Sequence, residues 1–196
     1  MSNRCPKGFQ GVANDRMCYY FSTYKLPWHQ AQQHCFQLGS NVEPLSIRTT
    51  KMQFSVTHLI QSDPEAKNVK KWWTSGHGTG QDWVWTMRLR YESFFFKYWA
   101  NDPKISEITP DSDSCVILDS EYFYQWKKVS CPRISQRSQS TTAGQQEPSM
   151  HHFICQVEAT HSATQELQQE VQQTDSRTPT TDISTHPSPR PNSPSS

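Results

Sequence analysis

The chain has 196 residues and a formal net charge of +1, with 12% aromatic residues and only 33% hydrophobic residues overall. Nineteen Lys and Arg against 18 Asp and Glu leave no charge excess, which excludes the polyelectrolyte character of a nucleic-acid-binding domain. No apolar run approaches the roughly 18 residues of a spanning helix, so no membrane span is predicted. The core must depend on aromatic rings.

Six cysteines lie at positions 5, 18, 35, 115, 131 and 155. None forms a Cys-x-x-Cys pair, so the pattern favours disulfides over a zinc or redox site. Spacing alone leaves 15 connectivities open. Because disulfides persist in oxidising compartments, we expect a secreted or extracellular protein, although no signal peptide is visible in this numbering. Buried free thiols in a cytosolic protein are the alternative.

Two amphipathic helices are predicted in the first half of the chain. The first begins after Pro27 and ends at Gly39, and its apolar face comprises Trp28, Ala31, Cys35 and Leu38. The second begins at Thr50, with Gln53 as a candidate capping-box partner. It ends at 62–64, and its apolar stripe comprises Met52, Val56, Leu59 and Ile60.

Short aromatic or β-branched runs bounded by turn residues predict strands in the second half. These runs are residues 72–74, 83–85, 115–118, 122–126 and 153–155. Helices followed by strands indicate an α+β domain. The glycine-rich segment 76–80 is predicted to be a turn rather than a phosphate-binding loop, because no helix follows it.

The composition changes sharply after Gln156, so the chain is predicted to divide into a domain at 1–156 and a tail at 157–196. Ser, Thr and Pro make up 19 of the 40 tail residues, which predicts a disordered tail, with or without O-glycosylation. The polar stretch 132–152 is predicted to be a long exposed loop.

Several motifs follow one another in an ordered series. They are Cys5-Pro6-x-Gly8-Phe9, Cys18-Tyr19-Tyr20-Phe21, Trp28-x-x-Ala31-x-x-x-Cys35, Leu45-Ser46-Ile47, Trp72-Trp73-Thr74-Ser75-Gly76, Trp83-Val84-Trp85 and Phe153-Ile154-Cys155-Gln156. Together they resemble the long, six-cysteine form of the C-type lectin-like domain family, over roughly residues 5–156. The resemblance implies two helices packed on short antiparallel sheets, with a long loop region and a disulfide framework.

The resemblance also implies how the cysteines pair. The expected bridges are Cys5 with Cys18, Cys35 with Cys155, and Cys115 with Cys131. In the chain-entropy model the second bridge, which closes nearly the whole domain, contributes about 4–5 kcal/mol, and the third contributes about 3 kcal/mol.

Sugar-binding members of this family hold Ca²⁺ between a Glu-Pro-Asn-like tripeptide and a Trp-Asn-Asp tripeptide. The corresponding segments here are Asp102-Pro103-Lys104 and Trp126-Lys127-Lys128. Ca²⁺ needs six to eight oxygen ligands, and a lysine offers none. Asn101 and Asp102 supply oxygens in a shifted register, but too few. We therefore expect the family Ca²⁺ site to be degraded, with no cofactor and no metal-ligating residues.

The same loops supply the candidate ligand-binding residues, which are Asn101, Asp102, Lys104, Trp126, Lys127 and Lys128. The mixture of lysines and tyrosines around them suits an anionic glycan or an acidic protein, whereas interleaved acidic residues favour a solvated face. A structural Ca²⁺ site at Glu107, Asp111 and Asp113 is a further alternative, although ordinary turn chemistry accounts for these residues more simply.

Catalysis has little support, because the histidines stand without other metal ligands at suitable spacing and no catalytic motif is present. We predict a non-enzymatic extracellular recognition domain that binds a carbohydrate or protein ligand without the usual Ca²⁺-dependent sugar site. The alternatives are a structural or matrix-associated interaction module with no glycan pocket, and a Ca²⁺-dependent lectin with displaced ligands.

Overall fold

The computed structural model describes residues 5–12, 15–103, 108–132 and 149–159. The predicted tail at 157–196 lies outside these ranges from position 160 onward, and so does the larger part of the predicted loop at 132–152. Lys104 and Glu107 also lie outside the described residues.

The described residues form the predicted α+β architecture. The helices are α1 (Trp28–Gln37) and α2 (Thr50–Ser62), and two short 3₁₀ helices cover Ala66–Asn68 and Ser120–Tyr122. The strands are β1 (Gln10–Gly11), β2 (Met17–Phe21), β3 (Leu26–Pro27), β4 (Glu43–Pro44), β5 (Lys71–Gly78), β6 (Trp83–Thr86), β7 (Tyr91–Ser93), β8 (Ser114–Asp119), β9 (Gln125–Ser130) and β10 (Met150–Glu158).

The closing strand β10 lies at the centre of the sheet. It pairs antiparallel with β2, β3 and β4, and parallel with β5, which is the one departure from the predicted antiparallel sheets in the described part of the chain. On the other side, β5 pairs antiparallel with β6 and β8, β6 with β7, and β8 with β9. The strands β6 to β9 therefore form the half of the sheet that carries the candidate loops.

All three implied disulfides are confirmed. Cys5 bonds to Cys18, Cys35 to Cys155, and Cys115 to Cys131, with Cα–Cα distances of 5.5, 5.4 and 5.7 Å. The first closes the β1–β2 hairpin, the second joins α1 to β10, and the third joins β8 to the end of β9.

The first helix forms where its apolar face predicts. Pro27 is the residue before its first turn, and Trp28 and Cys35 are buried. The prediction for Leu38 is wrong, because the helix ends at Gln37 and Leu38 remains 40% exposed. The last turn is closed instead by Arg88, whose guanidinium donates to the carbonyl oxygens of Phe36 at 2.7 Å and Gly39 at 2.6 Å.

The second helix has its predicted length but a different cap. The side chain of Thr49, rather than Thr50, accepts the hydrogen bond from the Met52 N–H. Gln53 does not complete a capping box; it is buried, and its Oε1 accepts the Trp126 indole N–H at 2.8 Å. Its Nε2 donates to the Tyr124 carbonyl at 2.9 Å. One glutamine thus links α2 to β9 and the turn before it.

Two local predictions in the second half are wrong. Residues 122–126 do not form one strand, because Phe123 and Tyr124 adopt left-handed conformations with φ of 54° and 60°, and β9 begins only at Gln125. Within the predicted turn 76–80, residues up to Gly78 belong to β5. A Cβ at Gly78 would lie 2.3 Å from the Asp111 carbonyl oxygen, so glycine permits a close approach of two backbones there.

Replacing Gln53 with Ala is expected to lower the free energy of unfolding by about 2–3 kcal/mol. The change leaves the Trp126 indole N–H and the Tyr124 carbonyl buried without their partners. Urea titration of Gln53→Ala, compared with the exposed-site control Gln61→Ala on the same helix, measures the effect. The control should change stability by at most about 0.5 kcal/mol. Equal losses in both variants would contradict the linking role of Gln53.

Candidate functional site

The candidate site is built around β9 and the loop that approaches its free edge. An isolated bridge connects Trp99 with Trp126. The backbone N–H of Trp126 donates to the Tyr98 carbonyl at 2.9 Å, and the backbone N–H of Ala100 donates to the Trp126 carbonyl at 2.8 Å. These bonds hold the loop beside β9. Asp102 therefore lies two residues after Ala100, whose backbone is fixed against the strand.

Trp126 itself lies in the core rather than at the surface. Its side chain is fully buried, with its ring centroid 5.1 Å from that of Trp85 and 5.3 Å from that of Phe94. With the indole N–H bonded to Gln53, Trp126 fixes the backbone position of the two lysines that follow it. Its part in a binding site is therefore to position β9.

Lys127 contacts the loop carboxylate of Asp102. The Nζ lies 3.3 Å from Asp102 Oδ2, and the Tyr122 hydroxyl donates to the same oxygen at 2.8 Å. The ammonium group also lies 4.5 Å from the centre of the Tyr122 ring. Asp102 is only 8% exposed. A buried carboxylate is thus held between an ammonium group and a phenol.

Lys128 contacts a different part of the same loop. Its Nζ donates to Thr109 Oγ1 at 2.9 Å and to Asp111 Oδ2, and the Thr109 hydroxyl donates to the same carboxylate at 3.2 Å. Successive side chains of a strand point to opposite faces, so two adjacent lysines can reach separate loop segments. Together they attach both sides of the loop to β9.

The electrostatics of these groups agree with their contacts. The hydrogen bond from Lys128 is the main cause that lowers the pKa of Asp111. For Lys127, burial opposes the charge, but hydrogen bonds with Asp102 and Tyr122 outweigh it and raise the pKa. The bond to Asp102 raises the pKa of Tyr122. At neutral pH Lys127 is therefore charged and Tyr122 keeps its proton.

The segment around Asp111 is fixed from two further sides. The Gly80 N–H donates to the Pro110 carbonyl at 2.6 Å, and the Cys131 N–H donates to the Asp113 carbonyl at 2.7 Å. The Cys115–Cys131 disulfide lies beside this second bond. The loop carboxylates are therefore presented on a backbone that β5, β8 and β9 all restrain.

The six candidate residues do not form one cluster. Asp102 and Lys127 meet, Lys128 turns to Asp111, and Asn101 is exposed to solvent. Trp126 is buried, and Lys104 lies outside the described residues. The acids of the alternative Ca²⁺ site do not form a shared ligand set either, because the Asp111 carboxylate pairs with Lys128. Within the described ranges no group of three His, Cys, Asp or Glu side chains is placed to hold a metal ion.

The sequence did not identify two residues of this region, Thr109 and Phe123. Tyr122 was among the tyrosines expected near the lysines, but its contact with Asp102 was not predicted. Thr109 completes the surroundings of Lys128, and a hydroxyl group of this kind carries no spacing signal. Phe123 is 81% exposed and stands on the left-handed turn before β9. It lies within an aromatic run that is typical of a buried strand, so its exposure could not be read from the sequence.

No helix in the part of the chain that the structure describes is long and apolar enough to cross a membrane.

A double-mutant cycle with Lys127→Met and Asp102→Asn is expected to give a coupling free energy of about 1–2 kcal/mol. The value exceeds that of an ordinary surface pair because Asp102 is largely buried, and it is moderated because the Lys127 side chain is 24% exposed. Chemical denaturation of the four proteins measures the coupling. Additive losses would show that the two side chains act independently.

The carboxyl of Asp111 should titrate below its ordinary pKa, and Lys128→Met should bring it back toward that value. Because the folded-state pKa is lowered, the contact with Lys128 is complete at neutral pH and is lost as the pH falls through the Asp111 pKa. Carbon-13 NMR of the aspartate side chains follows this titration. The same Asp111 pKa in both proteins would contradict the assignment.

Comparison with known proteins finds relatives in sequence and in structure. No protein-family model matches the chain. Mouse lithostathine-2 is 26% identical over 130 residues, which covers 65% of this chain and 69% of that protein. The mouse scavenger receptor C-type lectin carbohydrate-recognition domain is 19% identical, with a TM-score of 0.56 over 81% of this chain and 99% of that one.

A calcium-independent type II antifreeze protein is also similar in structure. It is 16% identical, with a TM-score of 0.57 over 82% of this chain and 98% of that one. The two helices, the mixed sheet and the three disulfides agree with these structural matches. The described part of residues 5–159 therefore has the fold of a C-type lectin-like domain in its long, six-cysteine form.

Proposed function

We propose that this domain is an extracellular, non-enzymatic recognition module whose ligand binding does not require Ca²⁺ at the site used by sugar-binding relatives. The observation that carries the proposal is the pair of contacts from β9, Lys127 with Asp102 and Lys128 with Asp111. They put fixed positive charges where the family resemblance implies oxygen ligands.

The residues present do not fit a bound Ca²⁺ ion. Asp102 Oδ2 already accepts from Lys127 and Tyr122, and the carboxylate of Asp111 accepts from Lys128 and Thr109. A Ca²⁺ ion needs six to eight oxygens, and each of these carboxylates would bring an ammonium group with it. Repulsion between the ion and two ammonium groups opposes binding at any plausible local dielectric.

The two lysines take over the structural role that a bound cation has in this loop region. A cation between the loop and β9 neutralises loop carboxylates and holds the loop in place, and both tasks are performed here by covalently attached ammonium groups. The similarity to a calcium-independent antifreeze protein supports the proposal by analogy, since that protein has the same fold. The three disulfides and the secreted character expected of the relatives support an extracellular location.

The contacts of the lysines also bear on the ligand. Both ammonium groups are engaged by carboxylates of the same chain, so β9 is less suited to a strongly anionic ligand than the sequence suggests. We infer a neutral carbohydrate or a protein surface as the ligand. Phe123 is the favoured contact, because its exposed ring stands next to Tyr122 on a turn of two left-handed residues. Such strained exposed positions occur more often at binding sites than elsewhere.

Glycan-array binding measured with and without a chelator tests the central claim. We expect the same glycans to bind under both conditions, and the thermal unfolding midpoint to be unchanged by added Ca²⁺. Loss of glycan binding with the chelator would favour a Ca²⁺-dependent lectin with displaced ligands. Absence of any glycan signal, with retained binding to an extracellular protein, would favour the structural or matrix-associated module.

Replacing Phe123 with Asn tests the contact surface separately from folding. Asn tolerates the left-handed conformation, so the variant should fold as the parent does. Affinity for a ligand found on the array should fall by roughly tenfold or more, as expected when an aromatic contact is removed. Leu89→Asn is the matched control, because Leu89 is 93% exposed on the β6–β7 hairpin. Equal affinities of the two variants would place the ligand elsewhere.

A further inference from the structure

A second surface concentrates positive charge without the carboxylate partners found at β9. A cavity of about 370 Å³ opens where the beginnings of β5 and β10 lie beside the segment leading into β3. Its lining includes Lys25, Lys70, Lys71, His151 and His152, and none of the described residues that line it is Asp or Glu. Such a volume lies within the range of small-ligand sites.

The three lysines of this cavity, in contrast to Lys127 and Lys128, have no carboxylate partner among the described residues. The acid closest in register is Asp119, which pairs with Lys71 across β5 and β8. Asp119 is fully buried, and its Oδ1 accepts the Glu121 N–H. Asp119 therefore does not line the cavity, although its charge still acts on His151.

Acidic residues near the cavity belong to a neighbouring depression. That depression shares Val69 and His152 with the cavity and contains Asp63 and Glu65. The Asp63 carboxylate is engaged by the N–H groups of Glu65 and Ala66, each at 2.9 Å, and by the Gln10 amide at 2.7 Å. Of these two acids, Asp63 is therefore already bonded, whereas Glu65 is exposed and lines the depression rather than the cavity.

Two histidines of the cavity are held in fixed positions. The His151 ring centroid lies 4.5 Å from that of Trp73, whose indole N–H donates to the Leu26 carbonyl at 2.9 Å. His152 Nδ1 lies 2.9 Å from the Ser22 carbonyl oxygen. Because a carbonyl only accepts, Nδ1 carries the proton, and Nε2 becomes a second donor when the ring is protonated.

The positive charges around the cavity contribute to a lowered pKa of His151. Burial is the main cause that lowers its pKa to about 4, and the charges of Lys71 and Lys25 lower it further. His152 acts in the same direction, while Asp119 opposes the shift. The imidazole is therefore sensitive to the charges of Lys25 and Lys71, in addition to its burial.

We propose that this cavity binds a tetrahedral oxyanion, either a sulfate ester or a phosphate monoester, carried by a ligand of the domain. Lys25, Lys70 and Lys71 provide charge-assisted donors, and the histidines form the wall between them. The remaining volume accommodates the part of the ligand that carries the oxyanion. None of these residues belongs to the β9 surface. An experiment can therefore contradict the proposal for this cavity without contradicting the proposed calcium-independent binding, and the reverse also holds.

Titration of the whole chain with three probes tests the site: a sulfated heparin-type disaccharide, the same disaccharide without sulfate, and glucose 6-phosphate. We expect binding of a sulfated or phosphorylated probe, and the tighter of the two identifies the source of the oxyanion. The unsulfated disaccharide should not bind. Failure of both charged probes, or equal binding of the unsulfated one, would overturn the proposal.

Paired charge variants distinguish this cavity from general attraction. Lys25→Ala with Lys70→Ala should weaken binding of the charged probe by roughly tenfold or more, because each lysine supplies a charge-assisted hydrogen bond. Arg16→Ala with Lys97→Ala removes the same charge from exposed positions outside the cavity lining and should change binding less than about twofold. Equal weakening in both double variants would overturn the proposal.

A second measurement observes the cavity directly. A bound oxyanion favours the protonated imidazole, so it should raise the pKa of His151 from about 4. NMR titration of the histidine rings, with and without the charged probe, measures this change. A His151 pKa that stays the same at saturating probe would mean that the probe binds elsewhere, and would overturn the assignment even if the lysine variants bind weakly.

Discussion

The hydrogen bond between Gln53 and the Trp126 indole is the contact on which the geometry of the binding face depends. It connects the buried side of α2 with the first buried residue of β9, and the same glutamine holds the turn that precedes β9. Around this bond, rings of Trp85, Phe94 and Trp99 fill the space that aliphatic side chains occupy in most cores. The packing of Trp126 in this core therefore sets the position of the β9 residues that follow it.

The pairing of lysines with loop carboxylates gives this domain a different electrostatic design from a calcium lectin. A calcium ion brings two positive charges and unfilled coordination positions that a sugar hydroxyl can enter. An ammonium group brings one charge and three donors, all directed at oxygens that are already present. The lysines can therefore stabilise the loop, but they leave no open coordination site. Under the proposed function, specificity depends on the shape and side chains around them, including the exposed ring of Phe123.

The parts of this structure that were predictable are those specified by repeated or redundant signals. Both helices and the strands that carry Trp72, Trp73, Trp83 and Trp85 follow from periodicity and residue type, and they are present. The three disulfides, which only the family resemblance implied, are present as well. The carboxylate partners of Lys127 and Lys128 were not predictable, because they lie 25 and 17 residues earlier in an irregular loop. The family resemblance implied only that lysines stand where calcium ligands are expected, and it gave no indication of these contacts.

The failed predictions share a physical cause. Gln53 would occupy the capping-box position if Thr50 were the N-cap, but the helix is capped by Thr49, and the buried Trp126 indole N–H needs an acceptor that Gln53 supplies. Phe123 and Tyr124 have the composition of a strand, but the chain must reverse between the Ser120–Tyr122 helix and β9, and that reversal requires left-handed residues. In both cases a tertiary requirement overrides a local preference, which single-sequence reasoning cannot detect.

The central place of β10 has a consequence for how the protein is made. β2, β3, β4 and β5 all pair with β10, which is the last strand of the domain to be synthesised. At ordinary rates of translation, Cys35 emerges on the order of ten seconds before Cys155, its partner 120 residues later. During that interval Cys5 and Cys18, and later Cys115 and Cys131, are available to its thiol as incorrect partners. Correct maturation therefore requires that early cross-links involving Cys35 be avoided or exchanged once the final strand arrives.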